Sequence, residues 1–220
     1  MKLIVFDMDG TLIDTETLIA EHMAAAFTGA GLTAPTAAQS RRVIGLSLPL
    51  AMARLAGTDE PVLIDALVDS YKRNYRSSLE NEAGREPLFP GAREALDRLR
   101  GQAGTKMGIA TGKGLTGVHR ILGMHGLADH FVTLQTPDHN PSKPHPGMLL
   151  RAMEETGAEP HEVVMIGDTV FDIELANAAG VSSIGVRWGY HAPDELVAAG
   201  AKVMLDRYDD LDAAIAQILE

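Results

Sequence analysis

From residue 87 onward, short apolar runs alternate with helical patterns, and this rhythm constrains the fold more than any other feature of the chain. The runs fall at 106–110, 131–134, 163–166, 183–186 and 202–205. Helical periodicities fill the gaps at 114–123, 146–157, 171–179, 193–199 and 209–219. Pro90-Gly91 opens one more, with Ala92, Ala95, Leu96 and Leu99 on one side. Strands that alternate with helices imply βαβ units and a parallel sheet. One further strand lies far upstream. Leu3, Ile4, Val5 and Phe6 form an unbroken apolar run that stops at Asp7. Such a run suits the middle of a sheet that is covered on both faces.

Between these parts, residues 15–85 are rich in Ala, Leu and Glu and hold no strand pattern. Helices are expected at 15–29, 36–44, 47–56 and 60–79, punctuated by Gly31, Pro35, Gly45, Gly57 and Pro61. The expected fold is therefore α/β. Residues 1–14 and 87–220 would form a Rossmann-like three-layer core with a parallel sheet. Residues 15–86 would form a small α-helical cap inserted after the first strand. Open α/β sheets bind ligands beyond the carboxyl ends of their strands. An insert at that place would hang over the site as a lid, with hinges near 14–17 and 83–88.

Composition excludes several classes. With no cysteine, neither a disulfide framework nor a thiolate metal site is possible. A net charge of −11 disfavours nucleic acid as a partner, but not a small phosphate bridged by a cation. The opening MKLIVFDMDG is too short for a signal peptide, and no stretch reaches the ~18 apolar residues of a membrane span. The expectation is a cytoplasmic protein with no membrane partner. The eight His show no metal-ligand spacing, and monomer and homodimer are not distinguished.

Four segments at or just past predicted strand ends carry the chemistry. The first is Asp7-Met8-Asp9-Gly10-Thr11-Leu12. In a continuing strand Asp7 and Asp9 would share a side, and their repulsion would be relieved by a hard cation such as Mg²⁺. The alternative is a solvated turn. In the second, Ala110-Thr111-Gly112-Lys113, a hydroxyl and a helix start can bind phosphate, although a lone Thr is as readily an N-cap. The third places Lys143 between Pro141 and Pro144, whose rings limit the loop. In the fourth, Asp168 ends a buried strand and Asp172 follows one turn later. Asp168 could ligate a metal, with Asp172 orienting it or Lys143. Acids at a helix N-terminus are also favoured by the helix dipole alone.

Taken together, these segments resemble the haloacid dehalogenase-like hydrolases, and among them the phosphatases with a helical cap. The likeness spans essentially the whole chain. It is strongest at DMDGTLIDT (7–15), LFPGA (88–92), IATGK (109–113), SKPHPGM (142–148) and IGDTVFDIELANAAG (166–180). It implies that Asp7 attacks phosphorus and forms an aspartyl-phosphate, and that Asp9 protonates the leaving oxygen. It implies Mg²⁺ held by the Asp7 carboxylate, the Asp9 carbonyl and Asp168. Thr111, Gly112 and Lys143 would bind the phosphoryl group, with Lys143 also neutralising Asp7 and Asp172 standing behind.

Departures narrow the choice. The dehalogenase branch lacks an acid at the place of Asp9. The mutase branch carries Arg where Leu48 stands. The resemblance implies a small phosphorylated metabolite, 2-phosphoglycolate first among the candidates. Rival readings are a broader phosphatase for sugar phosphates, nucleotides or pyrophosphate, a phosphomutase, and a non-catalytic regulator. Arg42 and Gly45, near the cap loop, are the expected contacts to the rest of the substrate, with Arg41 and Lys113 as further candidate cations. Trp188 and Met148 are read as packing residues.

Overall fold

A computed structural model of the protein describes residues 1–79 and 86–219. Six parallel strands form one sheet in the order β3-β2-β1-β4-β5-β6. They are β1 (Lys2–Phe6), β2 (Thr105–Ala110), β3 (Thr133–Gln135), β4 (Val163–Gly167), β5 (Ser182–Val186) and β6 (Val203–Leu205). β1 lies between β2 and β4, and Phe6 is level with both Ile109 and Ile166. The segments that follow these three strands therefore leave the sheet at one edge. The chain order also reverses here, which opens a crevice at that edge.

Residues 3–6 are wholly buried because the sheet is covered twice. Side chains alternate along a strand. Ile4 and Phe6 face α5 (Ala92–Arg100), α6 (Leu115–Met124) and α10 (Leu211–Leu219), meeting Leu96, Ile121 and Ile215 in one cluster. Leu3 and Val5 face α7 (Gly147–Thr156) and α8 (Val170–Ala178), meeting Leu149 and Leu175 in another. The result is a three-layer α/β fold.

Four helices follow β1: α1 (Glu16–Gly29), α2 (Ala37–Arg41), α3 (Leu48–Ala56) and α4 (Pro61–Leu79). α1, α3 and α4 share a separate apolar cluster built on Ile19, Met23, Phe27, Met52 and Leu67, which Phe171 and Tyr190 join from the sheet side. The chain leaves and re-enters the sheet layers side by side. Asp14 N–H donates to Pro87 O (2.9 Å) and Phe89 N–H to Leu12 O (2.9 Å). α9 (Pro193–Ala199) completes the helices among the described residues. None of these helices is long and apolar enough to cross a membrane.

Several boundaries differ from the sequence expectation. α2 starts on a Thr36–Gln39 capping box but stops at Arg41 rather than 44. The chain then turns through Gly45, whose φ of 101° suits glycine, and a side chain there would sit 3.1 Å from Thr169. β3 begins at Thr133 rather than 131, because Phe131 turns into the apolar cluster and Val132 lies exposed. The last helix starts at Leu211, after a short 3-10 turn at Tyr208–Asp210. The expected hinge at 83–88 lies partly outside the described residues.

Candidate active site

Lys143 is the centre of the site. It is fully buried, its Nζ donates to Asp172 Oδ1 (2.6 Å), and it stands 3.0 Å from Asp7 Oδ2. Asp172 caps α8 with its other oxygen, accepting from the backbone N–H (3.0 Å) and hydroxyl (2.7 Å) of Thr169. Of the two partners open to Asp172, the structure selects Lys143.

Asp168 ends β4 and is gripped from two sides. Oδ1 accepts from the Thr11 hydroxyl (2.8 Å) and Oδ2 from Tyr190 N–H (2.9 Å). Glycines make room for it. A Cβ at Gly189 would fall 2.0 Å from Asp168 Cβ, and one at Gly10 would fall 2.2 Å from Oδ2.

Asp7, Asp168 and Asp172 bring carboxylate oxygens within 4.8 Å of one another, all buried. The Lys143 ammonium faces two of them, Asp7 and Asp172. Asp7 Oδ1 accepts from Met8 N–H (2.6 Å), but Oδ2 makes no hydrogen bond, since Lys143 lies near it yet out of line. Burial raises the Asp7 carboxyl to about 7; Lys143 pulls it down, while Asp172 and Asp9 push it up. Burial likewise lifts Asp168 well above the usual carboxylate range, with Asp172 and Asp7 adding to it. Burial works against the Lys143 ammonium, but Asp172 and Asp7 outweigh it and raise the group overall. A carboxylate oxygen without an aligned hydrogen bond, in a cluster of three buried acids, fits a hard divalent cation. Asp7 and Asp168 offer the ligands for it, because Asp172 is committed to Lys143 and Thr169.

Asp9 stands apart from this cluster. β1 ends at Phe6 and the chain turns back, with Leu12 and Ile13 N–H both donating to Met8 O. The two acids therefore do not line up along one strand. Asp9 Oδ1 instead accepts from the Thr15 hydroxyl (2.7 Å) and pairs with Lys113 Nζ (3.2 Å). Two acids from one tripeptide thus occupy different settings, one in the carboxylate cluster and one beside a hydroxyl and an ammonium.

Thr111 follows β2, is buried, and accepts from Lys113 N–H (3.2 Å). Gly112 touches the loop after α2 so closely that a Cβ would lie 2.3 Å from Leu46 O. A cavity of about 440 Å³ opens between Asp7, Asp9, Thr111 and the helices α1, α3 and α4, and Gly45 lines it. Gly112→Ala is expected to keep the fold but push the 45–46 loop away, lowering kcat/KM at least tenfold, as steady-state kinetics would show. An unchanged kcat/KM would show the contact to be unimportant.

The structure does not bring Arg42 to the cavity. Its guanidinium pairs with Glu195 (2.6 Å) and is 53% exposed. Arg42→Ala should leave kcat/KM within about twofold, since an exposed pair contributes ~0–1 kcal/mol. Arg41 is taken too, donating to the carbonyls of Tyr190 (2.6 Å) and Gly189 (2.9 Å) beside Asp168. Thr15 and Tyr190 are site residues that sequence reasoning missed. The Tyr190 hydroxyl accepts from Thr15 N–H (2.9 Å) across 175 positions, and no local pattern announces it. Trp188 packs against the sheet cluster and also donates from Nε1 to Thr11 O (3.1 Å).

The family model for haloacid dehalogenase-like hydrolases matches residues 4–186. Similar chains include "Probable phosphatase IndB" of Dickeya dadantii, 34% identical over 99% of this chain and 95% of that one. A phosphoglycolate phosphatase of Vibrio vulnificus is 31% identical over 100% and 95%. The crystal structure of a hydrolase from Pseudomonas syringae superposes over the full length of both chains, with a TM-score of 0.87 and 25% identity. Family model, full-length relatives and shared architecture agree that the chain belongs to the haloacid dehalogenase-like hydrolases.

Proposed function

We propose that this protein is a Mg²⁺-dependent phosphatase that cleaves phosphomonoesters through an aspartyl-phosphate on Asp7. The carrying observation is Asp7 itself: a buried carboxylate on the cavity floor, with one oxygen free of hydrogen bonds and Lys143 3.0 Å away. Asp7 attacks phosphorus in line as the bond to the leaving oxygen breaks. Asp9, which lines the same cavity, gives its proton to that oxygen. Asp9 then takes a proton from the water that attacks the phosphoryl-aspartate, releasing phosphate and restoring Asp7. Lys143, held by Asp172, balances charge on Asp7 and on the phosphoryl oxygens, which Thr111 and Gly112 also face. Bound to Asp7, Asp168 and the Asp9 carbonyl, Mg²⁺ would supply further positive charge at those oxygens. In this reading residues 15–86 act as the cap and shield the reaction from water.

The names of the relatives make 2-phosphoglycolate the first substrate to test. Leu48 lines the cavity where a phosphomutase would need a cation for a second phosphate, which favours hydrolysis over phosphate transfer. The purified protein should release phosphate from phosphomonoesters when Mg²⁺ is present and stop when a chelator removes it. Release that ignores the chelator would refute the metal requirement. No release from any ester, with the metal bound, would favour a mutase or a regulator.

A further inference from the structure

We infer that the alcohol cut from the phosphate carries an uncharged ring, and that Tyr71 reads a polar group on it. This rests on the phosphatase reading and goes beyond it to the substrate class. A cavity of about 440 Å³ is far larger than a two-carbon acid requires. Pockets of roughly 300–1,000 Å³ are the size that buries a drug-sized molecule.

Part of the cavity wall is apolar, built by Ile19, Met23, Val43, Ile44 and Leu48. A carboxylate set against such a wall would need a cation of its own. Of the four cations that line the cavity, Lys113 is held by Asp9 (3.2 Å) and Arg120 by Glu86 (2.6 Å), while Lys72 and Arg76 are exposed to solvent.

Tyr71 and Tyr75 complete the lining from α4. Their rings lie parallel to within 8°, and His22 meets both edge-on at 6.0 and 5.6 Å. Lys113 and Arg120 stand over the Tyr75 ring, 5.6 and 5.5 Å from its centroid, which leaves Tyr71 as the ring to meet a flat, uncharged group beside the branched aliphatic side chains. The two hydroxyls differ. That of Tyr75 is engaged by Glu86 and by Arg120 (2.6 Å). That of Tyr71 has no hydrogen-bond partner among the described residues, although it lies close enough to Lys113 and Asp9 to feel both charges. A cavity-lining phenol without an internal partner can donate to or accept from a ligand.

The test uses the full-length Mg²⁺-loaded enzyme and esters with unactivated leaving groups. Benzyl phosphate should show at least about tenfold higher kcat/KM than 2-phosphoglycolate, the kind of ratio apolar pockets achieve. Leu48→Lys, which adds a cation to the apolar wall, should shift that ratio at least about tenfold toward 2-phosphoglycolate. Because the readout is a ratio, loss of some folded protein does not disturb it. Tyr71→Phe should lower kcat/KM for 3-hydroxybenzyl phosphate more than for benzyl phosphate. Equal effects of Tyr71→Phe on the two ring esters would overturn the role of Tyr71. A 2-phosphoglycolate rate that equals or exceeds the benzyl phosphate rate would overturn the ring inference while leaving the phosphatase reading intact. No release even from activated 4-nitrophenyl phosphate would overturn both.

Discussion

Asp7→Asn should lower turnover about ten-thousand-fold or more, as loss of a nucleophile does elsewhere, and yet stabilise the metal-free protein at pH 8. The two effects share one cause. Asp7 is 1% exposed and lies in a cluster of three acids. Burial lifts its carboxyl from an ordinary 3.8 to about 7. A carboxyl raised in the fold favours the folded state while it stays protonated. That contribution is whole below pH ~4 and is lost as pH rises through about 7. The metal-free parent should therefore lose several degrees of Tm across that window, at the ~2–4 °C per kcal/mol typical of a chain this size. The amide cannot ionise, so the Asn variant should lose less Tm over the same range, with Asp168, which burial also raises, supplying the slope that remains. Mg²⁺ should restore the parent by binding the folded state alone, and should do much less for the variant. Thermal melts from pH 4 to 8, with and without chelator, would decide the matter. A variant less stable than the parent at pH 8 without metal would contradict the electrostatic account.

Lys143→Met should act the other way. The ammonium is wholly buried and serves Asp172 at 2.6 Å and Asp7 at 3.0 Å. Methionine matches much of its length but leaves the buried Asp7 and Asp172 without their counter-ion. Removing one partner of a buried ion pair costs roughly 3–5 kcal/mol. Tm at pH 8 should therefore fall by about 10 °C. The deficit should shrink as pH falls and the acids take up protons, which neutralises the cluster without the lysine. Turnover should drop by about a thousandfold, comparable to loss of a key electrostatic donor in other enzymes. An unchanged Tm at pH 8 would show that Lys143 is not what holds the acids together.

The parts of this design that were legible in the sequence are those fixed by short-range pattern. The unbroken apolar run 3–6 can only be buried on both faces, and it lies at the centre of the sheet. Asp7, Thr111 and Asp168 each follow a strand that the alternation of strands and helices made visible. Contacts between distant segments were not legible. The turn after α2 brings Gly45 against Thr169, and Gly112 lies against the carbonyl of Leu46, contacts that span long stretches of chain. Neighbouring arginines illustrate the same limit. Arg41 secures the Gly189–Tyr190 backbone and Arg42 meets Glu195, roles that no spacing within 36–44 separates. Asp9 and Lys113 come from motifs on different strands, and their pairing exists only because β1 and β2 end side by side.

The pairing of residues 12–14 with 87–89 bears on how such a chain can vary over time. Both ends of the intervening segment are fixed next to each other by backbone hydrogen bonds that belong to neither the sheet nor the four helices. Lengthening or shortening the segment therefore changes the closure entropy only slowly, by about 0.6 kcal/mol for each doubling of length. The strands that carry Asp7, Thr111 and Asp168 do not register that change. The segment that brings Ile19, Met23 and Tyr71 to the cavity and the strands that lead to Asp7, Thr111 and Asp168 can thereby drift at independent rates.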